Sequence, residues 1–330
     1  MNVIFLTLTP LLAVILVPWF CWTQGITWTQ VIAATCLWMA TGLGITAGYH
    51  RLFSHRAYKA SAPVRLAFAL LGGATWQNSI ITWCAAHRYH HRDVDTDKDP
   101  YNARRGLVWS HLGWILVTGP RHEMLDNVPD LWKDPICRWQ HRYYLPLSIA
   151  VNVVLVGLLG WVTGEWLGMI LIAGLLRVVL VHHFTFTINS LAHYWGHQRW
   201  SSDNSSRDNW LLSFVSFGEG YHNYHHAFQT DYRNGPVWYN WDPSKWLIWL
   251  LAHSGLASHL QRTPTDVVLR KRFEERKAFL IDWLDTQKAL FKSEHQEVLD
   301  SFQGRLQSAQ IRVEGALDEL RSTRRSLSAL

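Results

Sequence analysis

The chain has 330 residues, 48% of them hydrophobic yet 17% charged, which argues against a uniform soluble core and for apolar spans separated by polar stretches. Its four cysteines, Cys21, Cys36, Cys84 and Cys137, form no C-x-x-C pair and no disulfide-like spacing, so they indicate neither a zinc ribbon nor an oxidising compartment. A net charge of +6 admits nucleic acid, an anionic membrane face or an acidic partner, but Lys and Arg are spread among Trp and His rather than gathered into one basic module, which speaks against nucleic acid.

In chain order, four apolar runs reach the roughly 20 residues a helix needs to cross a bilayer. They extend from Val3 to Trp22, Thr27 to Ala47, Leu145 to Trp161 and Leu167 to Asn189. The first lacks the basic start and small-residue cleavage site of a secretory signal, and a second run follows at once, so it reads as a retained anchor with Pro10 and Pro18 as kink sites. Gly42, Gly44 and Gly48 have the spacing G-x-G-x-x-x-G with no preceding strand, which points to close helix packing rather than to a dinucleotide fingerprint. The run from Val64 to Gly73 is too short to span, and belongs along the interface or inside the polar domain. Of the 31 Lys and Arg, 13 lie between Tyr49 and Tyr144 and 17 after Asn189, with none in the two short connections. The positive-inside rule then makes both termini and the segments 48–144 and 190–262 cytoplasmic, most simply at a bacterial inner membrane. Twenty tryptophans suit the two bilayer faces, although a large aromatic core accounts for them too. An embedded domain over 1–262 and a charged helical tail over 263–330 are expected. In the tail Leu299, Phe302, Leu306, Ala309, Val313, Ala316 and Leu320 alternate by three and four, as in a coiled-coil seam or a single amphipathic helix.

Three histidine clusters fall in the polar segments: His50 to His55 (H-R-L-F-S-H), His87 to His91 (H-R-Y-H-H) and His222 to His226 (H-N-Y-H-H). In the last two, the i, i+3, i+4 spacing sets every imidazole on one helical face, where the rings converge on a metal. In the first, residues five apart diverge by about 140° on an ideal helix. His50 and His55 therefore serve different metals, or the helix unwinds between them. Two H-x-x-H-H clusters arise by accident in roughly one such sequence in a thousand. Eight clustered imidazoles exceed what one ion uses, yet imidazole suits Zn, Cu, Fe and Ni alike. Glu219, Asp95, Asp97 and Asp99 stand nearby as possible imidazole partners, with solvated loop charges the simpler reading for most of them.

At these residues the chain resembles the membrane fatty-acid desaturases, in particular the Δ9 acyl-CoA (stearoyl-CoA) desaturase branch. The likeness includes I-T-A-G-Y-H-R-L-F-S-H-R-A-Y-K (45–59), Gln77 to His91, R-R-G-L-V-W-S-H-L-G-W (104–114), N-S-L-A-H (189–193) and G-E-G-Y-H-N-Y-H-H-A-F (218–228), in that order. The resemblance implies an all-α membrane protein, with four transmembrane helices and a cytoplasmic helical domain holding a di-iron site. Its implied iron ligands are His50, His55, His87, His90, His91, His193, His222, His225 and His226, with Asn189 acting through a water. Spacing alone does not single out His193. Residues matching the bend of the family's acyl tunnel are Gln77, Asn78, Trp83 and Thr185. Where animal members carry an Arg-Asp pair that contacts CoA, this chain has Ala85 and Ala86, so a CoA thioester is the first reading of the acyl carrier and a lipid-bound chain the second. Arg104 and Arg105 suit a phosphate-bearing head group, or form a solvated basic pair.

What the resemblance implies is O2-dependent desaturation of an acyl chain by two irons. The sequence shows no cytochrome b5 haem motif and no flavin or nicotinamide fingerprint, so an external electron donor such as a ferredoxin with its reductase is expected. A histidine-box alkyl hydroxylase is the nearest rival. A metal transporter or sensor is the rival of another class, disfavoured because transporters place polar ligands at mid-bilayer whereas these histidines lie just outside the spans.

Overall fold

The computed structural model of the chain describes residues 2–117 and 125–327. Helices make up nearly all of its regular structure. Among the described residues the only sheet is a two-stranded antiparallel one, β1 (Lys59–Ala60) against β2 (Ala257–Ser258).

Four helical stretches are long and apolar enough to cross a membrane: Val3–Thr23, Trp28–Ser54, Tyr144–Thr163 and Trp166–His193. They coincide with the four expected runs, and the second and fourth continue past them toward the histidines. The first is α1 (Asn2–Thr23), with Pro10 and Pro18 inside it. The second opens at a capping box, in which Thr27 and Gln30 satisfy each other's backbone N–H. It runs as α2 (Trp28–Leu43) and then widens into a π-helix over Gly44–Ser54. The third is α6 (Tyr144–Thr163). The fourth includes a π-helical stretch, Met169–Leu176, before α7 (Arg177–Asn189). The chain is thus a multi-pass membrane protein.

Between the second and third spans lie α3 (Ala62–Gly73), α4 (Ile80–Asp93) and α5 (Pro135–Arg142). After the fourth come α8 (Trp210–Val215), α9 (His222–Ala227) and α10 (Pro243–His253). The short apolar run of α3 is packed inside the protein, where Val64, Phe68 and Ala69 share a core with Ile45, Tyr49, Ile80, Ile81 and Cys84. Glycine permits this packing, because a Cβ on Gly44 would stand 2.6 Å from the Gly72 backbone nitrogen. The glycine spacing is therefore a packing device, as the sequence suggested.

Two ion networks, the first buried and the second half-buried, tie these helices together. The Arg51 guanidinium, 1% exposed, lies 2.9 Å from both Glu219 and Asp242 and donates to the Tyr232 carbonyl, so the π-helix is locked to the segments around α9 and α10. Arg88 forks onto Asp130 at 2.7 and 2.8 Å and donates to the carbonyls of Phe53, Ser54 and Asn127, fixing α4 against the end of the π-helix.

By internal packing the chain divides into two compact units, Met1–Arg272 and Phe273–Leu330. The helix α11 (Thr265–Leu327) makes up the described part of the second. In it Phe302, Leu306, Ala309 and Val313 are exposed, while the Leu299, Ala316 and Leu320 side chains fall outside the described residues.

Candidate metal centre

The first histidine cluster depends on the π-helix. The His55 N–H donates to the His50 carbonyl at 3.0 Å, five residues back rather than four, so the wider turn brings two residues five apart onto one side. The helix has unwound in this specific way, and His50 and His55 stand in the same group. The second cluster rides on α4, whose N-cap Ser79 accepts from the Thr82 N–H. The third is on the short helix α9, and His193 follows α7 on a 3₁₀ turn, Leu191–His193.

Nine histidines come together in two groups: His50, His55, His87, His91 and His225 in one, His90, His193, His222 and His226 in the other. Each of the last two clusters divides between them, the i and i+4 rings going to one group and the i+3 ring to the other. Helical spacing supplied the convergence but not this allocation. Within a group the nitrogens lie within 4.8 Å of one another. The Nε2 pairs His50–His225, His55–His87 and His91–His225 are 3.0, 2.9 and 2.9 Å apart; His193–His222, His222–His226 and His90–His226 are 3.1, 3.1 and 3.3 Å apart. Two nitrogens each about 2.1 Å from one ion and at right angles would be about 3.0 Å apart, so the spacing is that of ligands around a shared metal.

The opposite ring nitrogens explain which atoms are free to bind. His50 Nδ1 lies 2.7 Å from Glu219, His90 Nδ1 3.0 Å from both oxygens of Asp99, and His193 Nδ1 2.8 Å from the Ser205 hydroxyl, which itself donates to Asp95 at 2.5 Å. A carboxylate accepts only, so it fixes the proton on Nδ1 and leaves Nε2 as a lone pair. Lone pairs aimed at one another at such distances repel unless a cation stands between them. Burial pushes His87, His91, His222, His225 and His226 well below the ordinary histidine range, and the neighbouring imidazoles push the same way. These rings are neutral at pH 7, the form that binds metal. For Glu219, burial alone would raise the carboxyl, but His50 and Arg51 outweigh it and hold the group below its usual value. The donor set fits metal ions.

Here the sequence reading of the acidic residues needs correction. Glu219, Asp95 and Asp99 are not solvated loop charges; all three are buried and brace rings of the two histidine groups directly or through Ser205. Asp97 alone is exposed. No spacing rule points to Ser205, which reaches His193 from 12 residues away in the chain.

Beside the two groups lies an apolar cavity. Its lining includes Trp38, Gly42, Ile45, Phe184, Thr185 and Ile188 from the spans and Phe217 just after α8, together with Trp83, Asn189 and four of the histidines, His50, His87, His90 and His222. Trp83 stacks on His87 with ring centres 4.9 Å apart. The Gln77 amide donates to the Thr185 hydroxyl at 3.1 Å. Asn78 is exposed, and its backbone N–H donates to the Tyr144 hydroxyl. Arg104 and Arg105 are exposed, the latter lying 3.5 Å over the Trp109 ring. Ala85 is buried and Ala86 half-buried.

Comparison with known proteins agrees with this geometry. The profile of the fatty acid desaturase family matches residues 26–234. The chain is 42% identical over 255 residues to a probable acyl-CoA desaturase of Schizosaccharomyces pombe, covering 77% of this chain and 53% of that protein. It is 37% identical over 255 residues to stearoyl-CoA desaturase 5 of Bos taurus, covering 74% and 75%. It is 35% identical over 271 residues to an sn-2 palmitoyl-lipid 9-desaturase of Nostoc, covering 80% and 90%. The chain thus spans about half the length of the fission yeast relative.

Proposed function

This chain belongs to the fatty acid desaturase family, and from that membership we propose that it is an O2-dependent acyl desaturase placing a cis double bond at Δ9 of a saturated chain. One observation carries the reading: both histidine groups, through His50 and His87 of one and His90 and His222 of the other, line an apolar cavity that residues of the membrane spans line too. The metal proposed is iron, one ion per histidine group, with Asn189 completing the four-histidine group through a water. The chemistry such a centre supplies when loaded is oxidative: two hydrogens leave adjacent methylenes and, with O2 and two electrons and two protons from outside, end as two waters.

The protein's part is to hold and exclude. Glu219, Asp99 and the Ser205–Asp95 pair keep the Nδ1 protons of His50, His90 and His193 turned away from the metals. The cavity wall from Trp38 to Phe217 packs against acyl methylenes and leaves little place for water. With no functional group on the chain to recognise, Gln77, Trp83 and Thr185 select one methylene pair by shape.

Acyl-CoA is the proposed substrate and a lipid-bound chain the alternative. Arg104 and Arg105 are exposed and suit a phosphate, which both carriers have. We place the histidine groups and both termini on the cytoplasmic side, a reading supported by the 13 and 17 Lys and Arg of the long polar segments. Electrons come from a separate carrier such as a ferredoxin, drawn to that basic face. The test is gas chromatography of fatty acids from cells expressing the protein. New monounsaturated acids are the expected product, and hydroxylated acids or no product would overturn the proposal.

A further inference from the structure

The C-terminal end of α3 meets the membrane helices, and two of them take up its last carbonyls. From α6, the Ser148 hydroxyl donates to Gly73 O at 2.9 Å and the Asn152 amide to Ala74 O at 3.1 Å. From α7, Arg177 Nη1 donates to Ala74 O at 3.1 Å and His182 Nε2 to Thr75 O at 2.6 Å. The rest of the Arg177 guanidinium is also engaged, Nε with Ala173 O at 3.1 Å and Nη2 with Asn152 Oδ1 at 2.5 Å. Its side chain is 1% exposed within a membrane span, and among the described residues it forms no ion pair with a carboxylate. A charge kept in such a place marks a role, because solvation by lipid is poor. Here the counterpart is the end of a helix, where orphan carbonyls and the helix dipole gather partial negative charge.

What the clamp holds is a strained turn. Trp76 and Asn78 take positive φ, 62° and 75°, without being glycine, a conformation that persists only where the surroundings enforce it. From this turn Gln77 reaches Thr185 at the cavity wall, and Ser79 caps the helix of the second histidine cluster. The same helix, α7, carries Arg177, His182 and Thr185, so it holds the turn at Ala74, Thr75 and Gln77.

We propose that Arg177 is a positioning residue for the acyl chain: by clamping the carbonyl end of α3 it fixes the turn over 74–79, and with it the Gln77–Thr185 bridge that sets which methylene pair stands beside the histidine groups. The proposal rests on the desaturase reading. Its test uses the full-length protein in membranes with saturated substrates, measuring metal content, kcat and double-bond position. Arg177→Gln is expected to keep its metal yet lose roughly a hundredfold in kcat and spread the double bond to neighbouring positions, because misplacement by about 1 Å costs on that order. Arg177→Lys should restore a single position, and Arg177→Gln added to Gln77→Ala should cost little beyond Gln77→Ala alone. Wild-type product at wild-type rate from Arg177→Gln, or effects of the two changes that simply multiply, would overturn it. Should Arg177→Gln lose its metal, Arg177→Lys decides: it keeps a cationic donor for Ala74 O, and a metal-loaded Arg177→Lys protein that spreads the double bond overturns the proposal. No unsaturated product from the wild type would instead sink the desaturase reading, and this inference with it.

Discussion

The two histidine groups share the clusters at 87–91 and 222–226 but are braced differently. The five-histidine group takes His50 and His55 from the π-helix, and its direct carboxylate contact is His50 on Glu219, which Arg51 and Asn234 hold in turn. In the four-histidine group every ring is buried, His90 sits on both oxygens of Asp99, and His193 is held through Ser205 by Asp95. The group with fewer nitrogens has more outer support. An ion with fewer protein ligands depends more on how each ligand is aimed.

The most severe way to break this comparison is to remove one ligand from each side. His225→Ala and His90→Ala should each lower metal from two ions per chain to one or fewer and abolish product, read by elemental analysis beside lipid chromatography. Loss from only one side would mean the groups are not equivalent in catalysis. Removing the outer carboxylates sharpens the contrast: Glu219→Gln and Asp99→Asn should weaken metal binding about 10- to 100-fold. Asp99→Asn should be the worse of the two, measured by competition with a chelator.

A smaller effect is one of pH. The burial that lowers His87, His91, His222, His225 and His226 means that the metal-free folded state binds fewer protons than the unfolded chain below about pH 6.5. Its stability is then complete above that pH and is lost as pH falls through the depressed folded values. Melting of the metal-free protein from pH 8 to 5 should show a falling midpoint. A flat profile would contradict neutral burial of these rings. The smallest change should come from deleting residues 294–330, in the unit separate from the histidines; metal content and product are expected to stay at wild-type levels.

Much of this was legible in the sequence, because the four spans are long apolar runs and the clusters have helical spacing. Three features were not. The spacing of His50 and His55 left open whether they serve different metals or the helix unwinds between them, and only the π-helix over Gly44–Ser54 decides it. The division of His87, His90 and His91 between two groups depends on where α9 lies, which periodicity within α4 does not encode. Asp95, Asp99 and Glu219 look like ordinary loop charges until folding buries them against imidazoles.

The central claim is that imidazoles brought from four parts of the chain hold two redox-active ions beside the acyl cavity. Iron counted per chain in protein purified from iron-replete cells tests it most directly. The account predicts two iron atoms per chain; a single ion, or zinc in place of iron, would contradict it.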